Sequence, residues 1–429
     1  MMRRVPVPED VLSLVFDEAT KCHHGLEWPN AEYDYDRAAA PFVLAAVCQQ
    51  WRIMARAHAR YWTYFAFPTG VNQYPMQAAR ARLLLELSGD TVLDLILLFD
   101  QPDRHSVYDY TEPTLAVIFD IIQKVSHRWR NVRLRLPSGV AVGLYPTLQG
   151  HTPCLEALSV ACNAKWDFLP RAVRLSRLYV ECHSVDQLHT IGTRFPMLSE
   201  TVISPSGADV LVFIRDWHNL NRLTSLCILG SCSEIPRISL SLPHLNRLIL
   251  KDPKFLLHIR APILRHLALH LPLENNLRFD LQEPLQRMSS VTDLQVYGTL
   301  QRDDFEILGS LPSVETLVFS CPVEIQMSFP CNPEFYFQED CLSVLNRGTT
   351  PAWPSLQAIQ FGKPSDNNQV PTTLDAGDLL EFIVTRHISE VTSSLARATR
   401  KIERVGLYNT LAPPQFLEDL SALFTTEIR

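Results

Sequence analysis

From residue 155 onward one apolar phrase keeps returning. Leu155-Glu156-Ala157-Leu158-Ser159-Val160 is one copy, and Leu175–Val180, Leu223–Ile228, Leu245–Leu250, Leu264–Leu269, Val291–Val296 and Val314–Phe319 share its spacing. Weaker copies stand at Leu356–Phe361 and Ile402–Leu407, and a degenerate one near Met197–Val202. Apolar residues occupy the first, fourth and sixth positions. Each copy predicts a short strand with those three positions facing a core, and stacked copies bury faces that no single copy can bury. The fourth positions at 226, 248, 267, 294 and 317 are 22, 19, 27 and 23 residues apart. Several copies follow a proline (Pro153, Pro243, Pro262, Pro312, Pro354), which stops the preceding segment and starts an extended one.

A period in the twenties with this L-x-x-L-x-L phrase is the leucine-rich-repeat signature. The usual closing Asn of the repeat is mostly missing, so the repeats are expected to be irregular, with convex-side helices of uneven length. Upstream, the patterning predicts helices at Met76–Leu87 and Pro113–Val125 and strands at Thr91–Phe99 and Asn131–Leu136. Residues 71–150 thus read as connecting helices and first irregular repeats, and 151–429 as the repeat array. Insertions fall near 325–352 and 363–374, where the chain is polar and aperiodic. Asp375–Ala396 reads as a helix, and a short helix at Pro414–Phe424 caps the array.

Residues 1–70 have a different grammar. Pro8 suits a first helical turn, Glu9 and Asp10 follow where the helix dipole favours negative charge, and Val11, Leu12, Val15 and Phe16 form one apolar face. A polar stretch from Cys22 to Arg37 reads as a loop. Pro41–Ala55 then carries an apolar stripe through Leu44, Val47, Cys48, Trp51 and Ala55. The order Val7-Pro8-Glu9, helical Leu and Phe, Val47-Cys48-Gln49-Gln50-Trp51-Arg52 and trailing Tyr61-Trp62 resembles an F-box, of the kind found in expanded fungal F-box families with degenerate leucine-rich repeats. Val7 departs from the usual Leu, and the loop from Lys21 to Ala40 is longer than in the shortest F-boxes.

The resemblance implies an α/β architecture: a short three-helix F-box followed by an irregular leucine-rich-repeat solenoid, with parallel strands on the concave side and helices and loops on the convex side. It implies that Pro8, Leu12, Val15, Phe16, Val47, Cys48, Trp51 and Met54 contact a Skp1-like adaptor and, through it, a cullin–RING ligase. The chain would then be the substrate receptor of an SCF-type ubiquitin ligase. The alternative is a repeat scaffold whose F-box is structural or independent of ubiquitin.

Composition narrows the field. Lys and Arg total 39 against 46 Asp and Glu, a net charge of −7, which argues against a general nucleic-acid binder. The longest apolar run, Val92–Phe99, carries Asp94 and is too short to span a bilayer. Ten scattered cysteines without a CxxC pair fit a reducing cytoplasmic or nuclear compartment. GxGxxG, GxxxxGK[ST], HExxH and GxSxG are all absent, so neither an enzyme, a metal nor a cofactor is expected. Cys22-His23-His24 and Cys182-His183 lack a second pair at a zinc-like spacing. The third, fifth and seventh positions of the phrase predict a concave target-binding face: Arg177, Tyr179, Arg247, Lys251, His266, His270, Asp293, Tyr297, Arg404 and Tyr408, together with Glu181, Ile249, Ala268 and Gln295. Its basic centre would accept an acidic or phosphorylated segment. The cluster Arg128, Arg130, Arg133, Arg135 is expected to be a solvated edge.

Overall fold

The structure is a computed structural model. It describes residues 8–21, 34–67, 74–98, 112–135, 150–161, 172–182, 191–205, 210–217, 220–230, 239–271, 281–300, 302–320, 336–337, 352–362, 372–373, 376–388, 400–407, 410–411 and 414–423. The chain divides into two units, Met1–Leu198 and Ser199–Arg429.

The first unit opens with helices α1 (Glu9–Thr20), α2 (Tyr35–Val47) and α3 (Gln49–Ala57). The expected helix at Pro41–Ala55 is in fact two. Cys48 sits at φ −161°, ψ 175°, which breaks the run between α2 and α3. The end of the expected loop is also helical, because the Asp34 side chain caps α2 by accepting from the Arg37 amide at 2.8 Å. Five parallel strands follow: β1 (Tyr64–Phe67), β2 (Leu93–Leu98), β3 (Trp129–Arg135), β4 (Ala157–Ala161) and β5 (Arg177–Cys182), each paired with the next. Helices α4 (Tyr74–Ser88) and α5 (Glu112–Gln123) fall where the patterning predicts them.

Register explains why irregular phrases still stack. Phe65, Leu95, Val132, Leu158 and Leu178 lie side by side, and Phe67, Leu97, Leu134, Val160 and Val180 form the next row. All ten are buried. Each row is a continuous apolar ridge across five strands, the arrangement that parallel pairing of identical positions enforces. Truncating one Leu of such a ridge to Ala would cost about 2–5 kcal/mol.

The second unit repeats the scheme. Its ladder runs through β6 (Glu200–Pro205), β7 (Ser225–Ile228), β9 (Arg247–Leu250), β11 (His266–Leu271), β12 (Asp293–Leu300), β13 (Thr316–Phe319), β15 (Ala358–Phe361) and β17 (Arg404–Leu407), all parallel. Two-residue strands pair beside it: β8 (Leu240–Ser241) with β10 (Ile259–Arg260), β14 (Tyr336–Phe337) with the end of β12, and β16 (Thr372–Thr373) with β18 (Thr410–Leu411). β14 and β16 are described parts of the two expected insertions. In β6 the fourth position is Thr201 rather than Leu, which is why that copy is degenerate in sequence though regular in structure. Helices Ala376–Ile388 and Pro414–Leu423 close the described chain.

The prolines do something more specific than start an extended segment. The amide of the first Leu of a phrase bonds back three residues in Leu155→Thr152, Leu198→Phe195, Leu245→Leu242, Leu264→Ala261 and Leu356→Trp353, at 3.0–3.3 Å. Pro153, Pro196, Pro243, Pro262 and Pro354 thus occupy the second position of a β-turn, where a fixed φ near −65° is what the turn requires. One glycine is equally constrained. Gly298 has φ +99°, and a Cβ there would lie 2.4 Å from the Leu271 carbonyl oxygen.

Candidate functional site

The N-terminal helices are pinned by aromatic side chains. Phe16 packs on Trp51 and Tyr61 with ring centroids 5.5 and 5.1 Å apart, and Phe42 meets Trp62 edge-on at 5.2 Å. The Trp62 indole donates to the Ala55 carbonyl at 2.6 Å. Leu12, Phe16 and Met54 are buried in this core. Their sequence-predicted role as partner contacts is therefore corrected: their side chains hold α1, α3 and the following turn together. Trp51 is half-buried against Phe16, whereas Pro8, Val15, Val47 and Cys48 are exposed.

The same helices also expose large aliphatic side chains among their polar ones. Val11, Leu14, Val15, Val43, Val47 and Ile53 are all exposed, Leu14 at 69% and Ile53 at 63%. Leu14, Val43 and Ile53 fall between the positions that the motif resemblance names, so nothing in the sequence singles them out. A groove of about 930 Å³ runs beside α1, lined by Leu14, Val15, Tyr61, Arg37 and Arg60 among others. At its polar end Arg60 bonds Ser13 at 2.8 Å, the Tyr61 hydroxyl at 3.0 Å and Asp17. The bond to Tyr61 raises the Arg60 pKa.

α2 lies on the sheet face opposite the apolar ridges. Ala38 packs with Tyr64, Ala66 and Ile96. The Asp34 amide donates to the Tyr64 hydroxyl at 3.1 Å, and the Arg37 guanidinium sits 4.2 Å over the Tyr64 ring. Asp94, the charge that interrupts the longest apolar run, is the clasp. Its carboxylate accepts from Arg37 at 3.2 Å, twice from Arg130 at 2.7 and 3.0 Å, and from Asn131 at 2.8 Å. That pairing raises the Arg130 pKa.

The expected arginine cluster divides. Arg128 is buried, donating to the Thr91 carbonyl and the Ser88 hydroxyl, and burial lowers its pKa. Arg130 serves Asp94. Arg133 is half-buried and Arg135 exposed, at alternate positions of β3 whose neighbours Val132 and Leu134 are buried. Arg133 and Arg135 thus face the side opposite the core.

The predicted concave residues come together as the register requires. Arg177 is half-buried on β5, and Tyr179 beside it is buried. In the second unit Arg247, His266 and Asp293 share one row across β9, β11 and β12. His266 Nδ1 stands 3.1 Å from the Asp293 carboxylate. His270 stacks on Tyr297 at 4.8 Å, and its Nδ1 meets the Lys251 carbonyl at 3.2 Å. Burial lowers the His270 pKa. Tyr297, Ile249 and Ala268 are buried, which corrects their assignment, and that of Tyr179, to an open binding surface. Arg404 is exposed; Tyr408 lies outside the described residues. Among the described residues no group of three or more His, Cys, Asp or Glu is placed to hold a metal, and no helix is long and apolar enough to cross a membrane.

No family model and no curated protein matches the chain. A solved structure to which it is similar, described as the crystal structure of a TLR13–ssRNA13 complex, is 16% identical with a TM-score of 0.34. The match covers 72% of this chain and 47% of that one, so the chain spans about half the length of that neighbour. The leucine-rich-repeat assignment stands on the strand register and its apolar ridges.

Proposed function

We propose that the chain is a protein-interaction adaptor whose N-terminal helices dock a Skp1-like protein and whose repeat sheets present a target. In this reading it is the substrate receptor of an SCF-type ubiquitin ligase in the cytoplasm or nucleus, without an active site of its own. The observation that carries the reading is the set of exposed aliphatic side chains on α1–α3. Six large aliphatic side chains stand in solvent within fifty residues, on helices already pinned from the other side by Phe16 and Trp62. A patch of that kind marks an interaction site. The motif order described above points to a Skp1-type partner. Target transfer would then follow from effective concentration, one protein holding both adaptor and target.

The test is capture of a Skp1 protein by the full chain and by Leu14→Glu with Ile53→Glu. The double variant should lose at least about tenfold in affinity with an unchanged melting temperature, because both side chains are exposed. Phe16→Ala is unsuitable, since it opens the core. A folded wild-type chain that captures no Skp1 overturns the receptor reading and leaves a repeat scaffold.

A further inference from the structure

Helix α4 is apolar on two sides. Ala78, Ala81 and Leu84 are buried. Met76 and Leu83 stand in solvent, 61% and 40% exposed, and Leu87 is half-buried. Positions 76, 83 and 87 fall within one narrow stripe of a helix with about 3.6 residues per turn. A helix that covers a core needs one apolar side, and its other side is ordinarily solvated. On the neighbouring α5, exposed Val117 is followed by the exposed Asp120–Lys124 ion pair at 2.7 Å. On α4 the charged positions Arg82 and Glu86 lie off the stripe, beyond exposed Ala79.

The stripe adjoins the helices assigned to docking. Arg80 lies between Met76 and Leu83 on the same side of α4. It donates to the Ala38 carbonyl of α2 at 2.8 Å, and its guanidinium sits 5.1 Å over the Phe42 ring. Ala39 and Val43, the next residues around α2, are exposed, Val43 at 61%. Both helices turn their buried sides to the first unit, so their exposed flanks meet along the Arg80 seam. The size of an interface points the same way. A stable one takes about 20–30 residues a side. Helices α1–α3, of 12, 13 and 9 residues with one side buried, offer fewer.

We propose that α4 belongs to the same docking face as α1–α3, and that one Skp1-like partner lies across all four helices with aliphatic side chains against Val43, Met76 and Leu83. The inference rests on the adaptor reading and carries its footprint past residue 70. The F-box-like helices and the first helix of the repeat region then hold the partner together. Exposed aliphatic groups of this kind, contiguous over two helices, mark an interaction surface.

The experiment measures the affinity of a purified Skp1 protein for the full chain and for Met76→Glu with Leu83→Glu. The double variant should bind at least about tenfold more weakly with its melting temperature kept, because both side chains are exposed. Met76→Glu alone gives a partial loss and covers the case in which the double variant misfolds. Lys124→Glu, at the exposed end of α5, makes the same change in net charge off the stripe and should leave affinity unchanged. Wild-type affinity in the folded Met76 variants overturns the proposal, and so does an equal loss in Lys124→Glu, which would make net charge the cause. The Leu14→Glu, Ile53→Glu variant on the same preparations separates the two readings. Capture lost there but kept in the Met76 variants sinks only the extension to α4. A folded wild-type chain that captures no Skp1 sinks the receptor reading and the extension with it.

Discussion

His270 shows how one residue in a regular ladder can acquire a pH dependence. Its ring is packed between the Tyr297 ring and the backbone around Gly298, where an added Cβ would come within 3.0 Å of it. Lys251 and Asp252 are the charged groups acting on it, the first lowering and the second raising its pKa, and desolvation dominates. The folded-state pKa is therefore below that of the unfolded chain. Between the two values the unfolded state binds a proton that the folded state refuses, so the contribution of His270 to stability declines as pH drops below about 6.5 and is gone once His270 itself protonates. Urea midpoints at pH 7.5 and pH 5 for the wild type and His270→Gln should show the smaller drop in the variant. Equal drops would mean that other groups carry the acid sensitivity.

At the scale of elements, the informative feature is the clasp that joins α2, β2 and β3. Asp94 is nearly buried and accepts from the Arg37, Arg130 and Asn131 side chains, while Arg37 also donates to the Thr20 carbonyl. Asp94→Ala leaves those donors facing one another without a carboxylate. Removing one member of such a network costs about 3–5 kcal/mol when fully buried, and about 2–4 kcal/mol is expected here because Arg130 is partly exposed. Urea denaturation checks it, and a change within about 0.5 kcal/mol would show that the clasp is ornamental. The sequence displayed Asp94 only as a flaw in an apolar run. Strand positions were legible because period and phrase depend on local order, and each ladder strand from Leu158 to Val405 coincides with a copy. The strand Tyr64–Phe67 was not legible, since four consecutive buried residues carry no alternation. Nor was the break at Cys48, which needs the backbone angles. Of the positions that the resemblance names as adaptor contacts, Val15 and Val47 are exposed. Leu12, Phe16 and Met54 are buried instead, and spacing could not tell them apart, because an amphipathic stripe looks the same whether its partner is another protein or the adjoining helix.

The same contacts decide what counts as a domain in the first unit. An F-box read as residues 1–70 suggests a detachable module, yet the division by packing falls at 198/199. Within the first unit, α2 covers Tyr64, Ala66 and Ile96, and Arg80 of α4 donates to the Ala38 carbonyl at 2.8 Å while lying 5.1 Å over Phe42. Deleting residues 1–57 would expose those three sheet residues, take Arg37 from the Asp94 clasp and remove the ring that Trp62 packs against. Burying aromatic and aliphatic groups of that size contributes roughly 1.5–3 kcal/mol each. The shortened chain should melt at a lower temperature than the full chain and bind a hydrophobic dye such as ANS in a thermal scan begun at 20 °C. A shortened chain that keeps the full-length melting temperature would show instead that α1–α3 form an independent domain. The repeats of this unit would then hold without a cover on their first two strands, and the exposed side of α1–α3 would be free to move with its partner.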